Sequence, residues 1–194
     1  MLREKLKNYN LILASGSPRR QQFFKDLDLD FEIRLKEVEE IYPPELKGFE
    51  ITDFLAELKS YAFDGELKEN DLLITSDTIV WHNDIALGKP KDEQDAFTTL
   101  KSLSNATHEV ITSVCFKTMD TTTVFHEITK VTFNEISDEA IHYYITIYKP
   151  YDKAGAYGIQ EWIGAIAVSK IEGSYANVMG MPVDKVYEYL NQLP

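Results

Sequence analysis

The first chemically suggestive stretch of this 194-residue chain is a short polar loop, Ser15-Gly16-Ser17-Pro18-Arg19-Arg20. Serine is a preferred helix N-cap and proline is favoured at the first helical position, so both arginines should fall in the first turn of a helix. The helix dipole disfavours positive charge there, and a bound anion would offset that cost. Helix N–H groups, the hydroxyls of Ser15 and Ser17 and two guanidinium groups could together hold a phosphate. The loop therefore indicates a phosphate-binding site, with solvated surface arginines as the alternative.

A second candidate is Asp77, which interrupts the apolar, β-branched run 72–81. An ionised carboxylate inside such a strand is costly unless it is paired, hydrogen-bonded or bound to a metal ion. Carboxylate oxygens favour hard cations such as Mg²⁺ or Mn²⁺. An aspartate that caps the end of a strand is the structural alternative, but Ile79, Val80 and Trp81 continue the apolar run beyond it. We therefore expect Asp77 to be a functional residue rather than the cap of a strand.

Two further segments combine small residues with a polar side chain. In Gly88-Lys89-Pro90, a glycine permits close approach and a rigid proline follows the lysine, which suits phosphate binding. In the segment 152–160, small residues would let the backbone approach a ligand, and the amide of Gln160 offers both a donor and an acceptor. Taken alone, each segment is equally compatible with an ordinary turn.

The elements that must position these residues follow from the pattern of apolar residues. Strands are predicted at 11–14, 72–81, 85–87, 110–118, 122–133 and 163–171. Helices are predicted after Ser17, after an N-cap at Thr52, after an N-cap at Asp92, from Ser137 to about Tyr148, and from Pro182 onward. Alternating strands and helices with hairpins in mid-chain predict an α/β fold, with a central mixed β-sheet flanked by helices.

Composition excludes several classes of protein. The net charge of −12 disfavours binding to a nucleic-acid polymer or to an anionic membrane. The single cysteine excludes an intramolecular disulfide and a multi-cysteine zinc site. No apolar run approaches the ~18 residues of a membrane span, and the four apolar residues 11–14 are too few for a signal peptide, so we expect a cytoplasmic protein. The length predicts a single domain over residues 1–194.

The motifs together resemble those of the Maf family of nucleoside triphosphate pyrophosphatases, along nearly the whole chain. The matching segments are 13–20, Ser76-Asp77-Thr78-Ile79-Val80, Gly88-Lys89-Pro90, His108-Glu109-Val110-Ile111-Thr112, 152–160 and 173–182. The resemblance implies an α/β fold of the Maf and inosine triphosphatase-like type, with an active-site cleft between two lobes, and a homodimer. It also implies hydrolysis of nucleotides between the α- and β-phosphates with a divalent metal, and a link to arrest of septum formation.

The resemblance also assigns roles to individual residues. Asp77 matches the proton acceptor, with Lys89 as a second catalytic residue. Arg19, Thr78 and Gln160 match the positions for substrate discrimination. The remaining polar residues of the site are Ser15, Ser17, Arg20, Lys59 and Lys89 for phosphate, and Glu40 with Asp77 for Mg²⁺ or Mn²⁺. The chain departs from the family pattern at Ser76, where alanine is usual, and at Asn105 and Glu161, where glycine is usual.

The predicted function is therefore hydrolysis of dTTP and UTP, with modified pyrimidine nucleotides as further candidates, to the monophosphate and pyrophosphate. A carboxamide at Gln160 complements the O4 acceptor and N3–H donor of uracil or thymine, whereas a carboxylate would suit the two donors of guanine. Two alternatives remain open: a 7-methyl-GTP pyrophosphatase, and a nucleotide-binding regulator of septum formation with little turnover. Retention of Asp77 together with Lys89 favours an enzyme over the regulator.

Overall fold

A seven-stranded mixed β-sheet organises the fold in the computed structural model, which describes residues 1–194. The strands are β1 (Asn10–Leu13), β2 (Glu32–Ile33), β3 (Asp71–His82), β4 (Ile85–Leu87), β5 (Thr107–Lys117), β6 (Thr122–Phe133) and β7 (Val168–Glu172). The helices are α1 (Leu2–Lys5), α2 (Pro18–Asp26), α3 (Phe49–Tyr61), α4 (Glu93–Leu103), α5 (Asp138–Tyr148), α6 (Trp162–Ala167), α7 (Tyr175–Val178) and α8 (Val183–Gln192). A short 3₁₀ turn spans Ala154–Ala156.

Strand order in the sheet is β2-β1-β3-β5-β6-β7, and β4 pairs with β3 outside this path. The strand β1 is parallel to both β2 and β3, with Leu11 opposite Leu72. The pairs β3–β4 and β6–β7 are antiparallel. Parallel and antiparallel pairs therefore coexist, which confirms the prediction of a mixed α/β sheet.

The chain divides into two compact units. The first comprises Met1–Asp77, Thr112–Glu127 and Gly180–Pro194, and the second comprises Thr78–Ile111 and Ile128–Met179. Each unit has its own apolar core: Leu13, Phe24, Ile74 and Phe116 are among the buried residues of the first, and Leu100, Phe133, Ile141 and Ile163 are among those of the second. None of the helices is both long enough and apolar enough to cross a membrane.

Local capping and turn signals in the sequence predicted several boundaries correctly. The side chain of Asp92 accepts a hydrogen bond from the Asp95 N–H at 2.9 Å and begins α4. Ser137 accepts from the Ala140 N–H at 3.2 Å and begins α5. Asn83 and Asp84 both adopt left-handed conformations (φ of 50° and 59°) in the tight turn between β3 and β4.

Three predicted boundaries were wrong. Thr52 is not an N-cap, because α3 begins three residues earlier, after Gly48 with its φ of 52°, and the Thr52 hydroxyl donates to the Phe49 carbonyl instead. Pro182 is the N-cap of α8 rather than its first residue. The apolar run 163–171, predicted as one strand, forms all but the first residue of α6 and then most of β7. At Gly164 a Cβ would lie 1.9 Å from the Ile159 carbonyl oxygen, so this glycine lets α6 pack directly against the preceding backbone.

Candidate active site

The polar loop before α2 has the predicted conformation. Ser17 is in extended conformation at the N-cap, and Pro18 is the first helical residue. The Ser17 side chain makes no capping hydrogen bond; instead its N–H donates to the Ser15 hydroxyl at 3.3 Å. The Gln21 amide donates to the Ser15 carbonyl at 3.0 Å and holds the loop against the helix. Arg19 and Arg20 therefore follow in the first turn, as predicted.

Arg20 has a structural role that the sequence did not reveal. Its Nε donates to the Gly180 carbonyl at 2.8 Å, and its Nη1 donates to the Ser76 carbonyl at 2.9 Å. Burial lowers the pKa of Arg20, and the negative charges of Asp77 and Glu40 oppose that shift. The guanidinium thus feels the charge of both carboxylates and has two backbone carbonyls as hydrogen-bond partners. These carbonyl partners compensate the charge in the absence of a bound anion, which the local sequence did not indicate.

Asp77 forms an ion pair with Lys59 at the centre of the first unit's polar cluster. Lys59 Nζ lies 2.5 Å from Asp77 Oδ1 and 2.9 Å from Glu40 Oε1. The Asp77 side chain is buried (9% exposed), the Lys59 side chain is 18% exposed, and Glu40 is open to solvent. One ammonium therefore joins the two carboxylates that the family resemblance assigned to metal binding.

Helix α3 and strand β3 place this pair by regular geometry. The Thr75 hydroxyl donates to the Ala56 carbonyl at 2.6 Å, which fixes the helix against the strand. Asp77 lies two residues beyond Thr75, on the same face of the strand, and Lys59 lies three residues beyond Ala56, on the same face of the helix. Lys59 and Asp77 therefore meet where α3 and β3 continue beyond the hydrogen bond between Thr75 and Ala56.

The carboxylates of Asp77 and Glu40 fit a divalent cation whose other ligands come from substrate and water. Two hard oxygen donors converge on the Lys59 nitrogen, and Mg²⁺ is commonly bound through one or two carboxylates plus phosphate oxygens. No group of three or more histidine, cysteine, aspartate or glutamate side chains could hold a metal on its own. The two carboxylates could therefore supply part of the ligand set of a divalent cation.

In the second unit, Thr78 continues β3 and is partly buried, whereas Lys89 is exposed. The Gly88 carbonyl accepts a hydrogen bond from the Gly155 N–H at 3.1 Å, which ties the Gly88-Lys89-Pro90 turn to the glycine-rich segment. Gly155 has a φ of 67°, and a Cβ there would lie 2.6 Å from Val80 Cγ2. Glycine is therefore required at this position both by the backbone conformation and by close packing.

Gln160 lies exposed in the turn 158–161, which a buried polar network supports. Tyr144 donates its hydroxyl to Glu161, and Lys153 Nζ lies 3.1 Å from the other oxygen of that carboxylate. Burial, and then the bond to Glu161, raise the pKa of Tyr144. Sequence reasoning missed this network because Tyr144 matched the apolar face of a helix. The only available signal was the departure from glycine at Glu161.

A fully buried histidine, His108, also supports the glycine-rich segment. Its Nε2 lies 2.7 Å from the Tyr157 hydroxyl, and both rings make edge contacts with Phe133. The Nδ1 atom is buried and has no hydrogen-bond partner. Burial lowers the pKa of His108 to about 3, with a smaller contribution from His82, so the ring is neutral near pH 7.

Comparison with known proteins identifies the family of the chain. A family model described as Maf-like protein matches residues 10–193. The chain belongs to the Maf-like family. A protein named dTTP/UTP pyrophosphatase from Flavobacterium johnsoniae is 74% identical over 193 residues, which covers 100% of both chains. The protein of the same name from Flavobacterium psychrophilum is 65% identical, over 98% of this chain and 97% of that protein.

Among solved structures, the Staphylococcus aureus Ham1 protein matches this Maf-like chain at a TM-score of 0.47 and 19% identity. The match covers 66% of this chain and 72% of that one.

Proposed function

We propose that this Maf-like protein is a nucleoside triphosphate pyrophosphatase that converts dTTP and UTP to their monophosphates and pyrophosphate. The observation that carries the proposal is the Asp77–Lys59–Glu40 cluster. It lies in a chain that matches proteins named dTTP/UTP pyrophosphatase along 97–100% of their length. A buried carboxylate can act as a general base on the water molecule that attacks a phosphoanhydride, and the ammonium beside it can neutralise phosphate charge.

In this reaction Asp77 orients and deprotonates a water molecule that attacks the α-phosphorus. A new P–O bond forms, the bond to the bridging α–β oxygen breaks, and pyrophosphate leaves; the proton of the water passes to Asp77. Lys59, which is already held beside Asp77, would neutralise charge on the phosphates. Ser15, Ser17, Arg19 and Arg20 at the start of α2 would bind phosphate oxygens, and Lys89 is a further proposed phosphate ligand and catalytic residue.

Asp77 and Glu40 would hold a divalent cation, Mg²⁺ or Mn²⁺. When bound, that cation would neutralise phosphate charge and polarise the reacting phosphoryl group. The amide of Gln160 is proposed to read the O4 and N3–H of the pyrimidine, with Arg19 and Thr78 as further specificity residues. A cytoplasmic location and a homodimer complete the proposal, and light scattering on the purified protein tests the dimer.

The proposal is tested by pyrophosphate release from dTTP, UTP, CTP, GTP and 7-methyl-GTP, with and without Mg²⁺ or Mn²⁺. We expect dTTP and UTP to be the best substrates and activity to require the metal. Preference for 7-methyl-GTP would overturn the pyrimidine assignment. Binding without turnover for the whole panel would overturn the assignment as an enzyme.

Asp77→Asn should reduce turnover on the order of 10²-fold or more, because the amide keeps the shape but is neither a base nor an anionic ligand. The melting temperature should fall moderately, because Lys59 loses its buried partner and keeps only its ion pair with Glu40. Asp138→Asn is the matched control, since Asp138 also pairs with a lysine, at 2.6 Å from Lys101, but on an exposed surface. Wild-type turnover in Asp77→Asn with metal present would remove Asp77 from the mechanism.

A further inference from the structure

The turn that contains Gln160 is hydrogen-bonded at both ends to one side chain, the hydroxyl of Tyr144. The Gly158 N–H donates to the Tyr144 hydroxyl at 3.0 Å, and that hydroxyl donates in turn to Glu161 Oε2. Within the turn, the Glu161 N–H donates to the Gly158 carbonyl at 2.9 Å. Both residues that flank the Ile159-Gln160 pair are thus held against α5.

A buried lysine completes this arrangement. Lys153 Nζ lies 3.1 Å from Glu161 Oε1 and 2.7 Å from Asp152 Oδ1, and its side chain is only 9% exposed. A buried ammonium requires compensating negative charge, and removing one partner leaves the remaining charge costly. The Glu161 carboxylate therefore joins Tyr144 on α5 to Lys153, at the start of the glycine-rich segment.

The absence of a side chain at Gly158 leaves room for the carboxyl group of Glu161. A Cβ at Gly158 would lie 2.8 Å from Cδ of Glu161, so the carboxyl group lies directly over the glycine backbone. Glu161 is the N-cap residue of α6 and yet makes no capping hydrogen bond, because its side chain turns toward Tyr144 and Lys153. Gln160 lies between Gly158 and Glu161 in the sequence, and it is exposed.

We propose that Glu161 is a positioning residue for Gln160: through Tyr144 and Lys153 it fixes the backbone of the turn 158–161, so that the amide is presented in one orientation. This inference rests on the proposed role of Gln160 in base discrimination. An exposed turn without such support would lose conformational entropy when a nucleotide binds, and holding it in advance avoids that cost. The glycine that the family resemblance leads one to expect at this position has no side chain to make these bonds.

A double-mutant cycle tests whether Glu161 acts through Gln160. The measured quantity is the ratio of kcat/KM for UTP to that for GTP, in wild type, Glu161→Ala, Gln160→Ala and the double variant. Glu161→Ala should lower the ratio by about threefold or more, and the same change in the Gln160→Ala background should alter it by less than about twofold. Tyr144→Phe, which removes one oxygen, should change the ratio in the same direction. Glu172→Ala, which removes an exposed glutamate 3.0 Å from Lys170, is the control and should leave the ratio unchanged.

Hydrogen exchange in the nucleotide-free protein tests the support of the turn separately from activity. Peptides that contain residues 158–161 should exchange faster in Glu161→Ala than in wild type, and peptides from α4 should not. Unchanged exchange, or an equal fall of the ratio with and without Gln160, overturns the inference. A wild-type protein that hydrolyses neither dTTP nor UTP overturns the proposed function instead, and the exchange result then still decides whether Glu161 holds the turn.

Discussion

At the scale of single residues, Arg20 stabilises the fold through hydrogen bonds that form without a bound ligand. Two of its hydrogen bonds end on the carbonyl groups of Ser76 and Gly180, which lie 56 and 160 residues away in the chain. Hydrogen bonds to a charged donor are stronger than neutral ones, and a buried carbonyl left without its donor is costly. Arg20 therefore fastens the start of α2 to β3 and to the segment before α8.

Arg20→Ala should lower the free energy of unfolding by about 2 kcal/mol, because two partly buried carbonyls lose their charged donor. Denaturant titration of the nucleotide-free protein measures this change. Arg3→Ala is the control: Arg3 pairs with Asp28 and Asp30 on an exposed surface, and such pairs contribute little. If Arg20→Ala is as stable as wild type, the guanidinium is held mainly for an anion, as the sequence alone indicated.

His108 links stability to pH. Its folded-state pKa of about 3 lies below the ordinary value of 6.5, so below pH 6.5 the unfolded chain takes up a proton that the folded protein refuses. Its contribution to stability is therefore complete above pH 6.5 and is lost as the pH falls toward 3. From this group alone we expect a loss of about 2 kcal/mol between pH 8 and pH 5.

His108→Asn should remove that part of the pH dependence, whatever its effect on stability at neutral pH. Unfolding free energies at several pH values between 8 and 5 measure the slope for each protein. His142→Asn, which replaces an exposed histidine, is the control substitution. Equal slopes in His108→Asn and wild type would show that His108 already titrates normally in the folded state.

At the scale of elements, the glycine-rich segment depends on a backbone that only glycine adopts easily. Gly155 combines a φ of 67° with contacts from the Val80 side chain, whereas Gly65 has a φ of 79° and open space around it. The two glycines share a conformational requirement and differ in packing. They therefore form a natural matched pair.

Gly155→Ala should cost about 1–3 kcal/mol more than Gly65→Ala, because only the first places a methyl group against a buried strand. Chemical denaturation of both variants gives the difference. Because the Gly155 N–H also donates to the Gly88 carbonyl, we expect Gly155→Ala to lower pyrophosphatase activity as well. Equal costs for the two substitutions would mean that Val80 moves aside freely.

At the scale of the whole molecule, the charge of −12 sets the response to salt. Excess negative charge repels itself in the folded state, and added salt screens that repulsion. The local cations around Asp77 must therefore attract a polyanionic substrate against the overall field. The same imbalance disfavours a nucleic-acid polymer as partner.

The melting temperature should rise between about 20 mM and about 200 mM NaCl at pH 7.5, because the Debye length shortens over that range. Differential scanning calorimetry measures it, and sucrose at matched osmolality controls for effects of the solute other than screening. A melting temperature that falls with salt would show that the ion pairs stabilise the fold more than the excess charge destabilises it.

The sequence by itself determined the family, the mixed sheet and the local signals around the candidate site. Ser17-Pro18 begins α2, Asp92 and Ser137 cap their helices, and the β-branched run around Asp77 forms a strand. Each of these depends on the dihedral preferences and alternation of neighbouring residues, which a linear pattern contains.

Only the tertiary structure decided which groups meet. The pairing of Lys59 with Asp77, the carbonyl partners of Arg20 and the attachment of Glu161 to Tyr144 and Lys153 join residues from separate elements. The apolar run 163–171 has the composition of a strand. Its residues 163–167 nevertheless form a helix, in which Gly164 packs closely against the Ile159 backbone. Burial and charge compensation depend on the whole arrangement of the chain, so no local pattern could have predicted them.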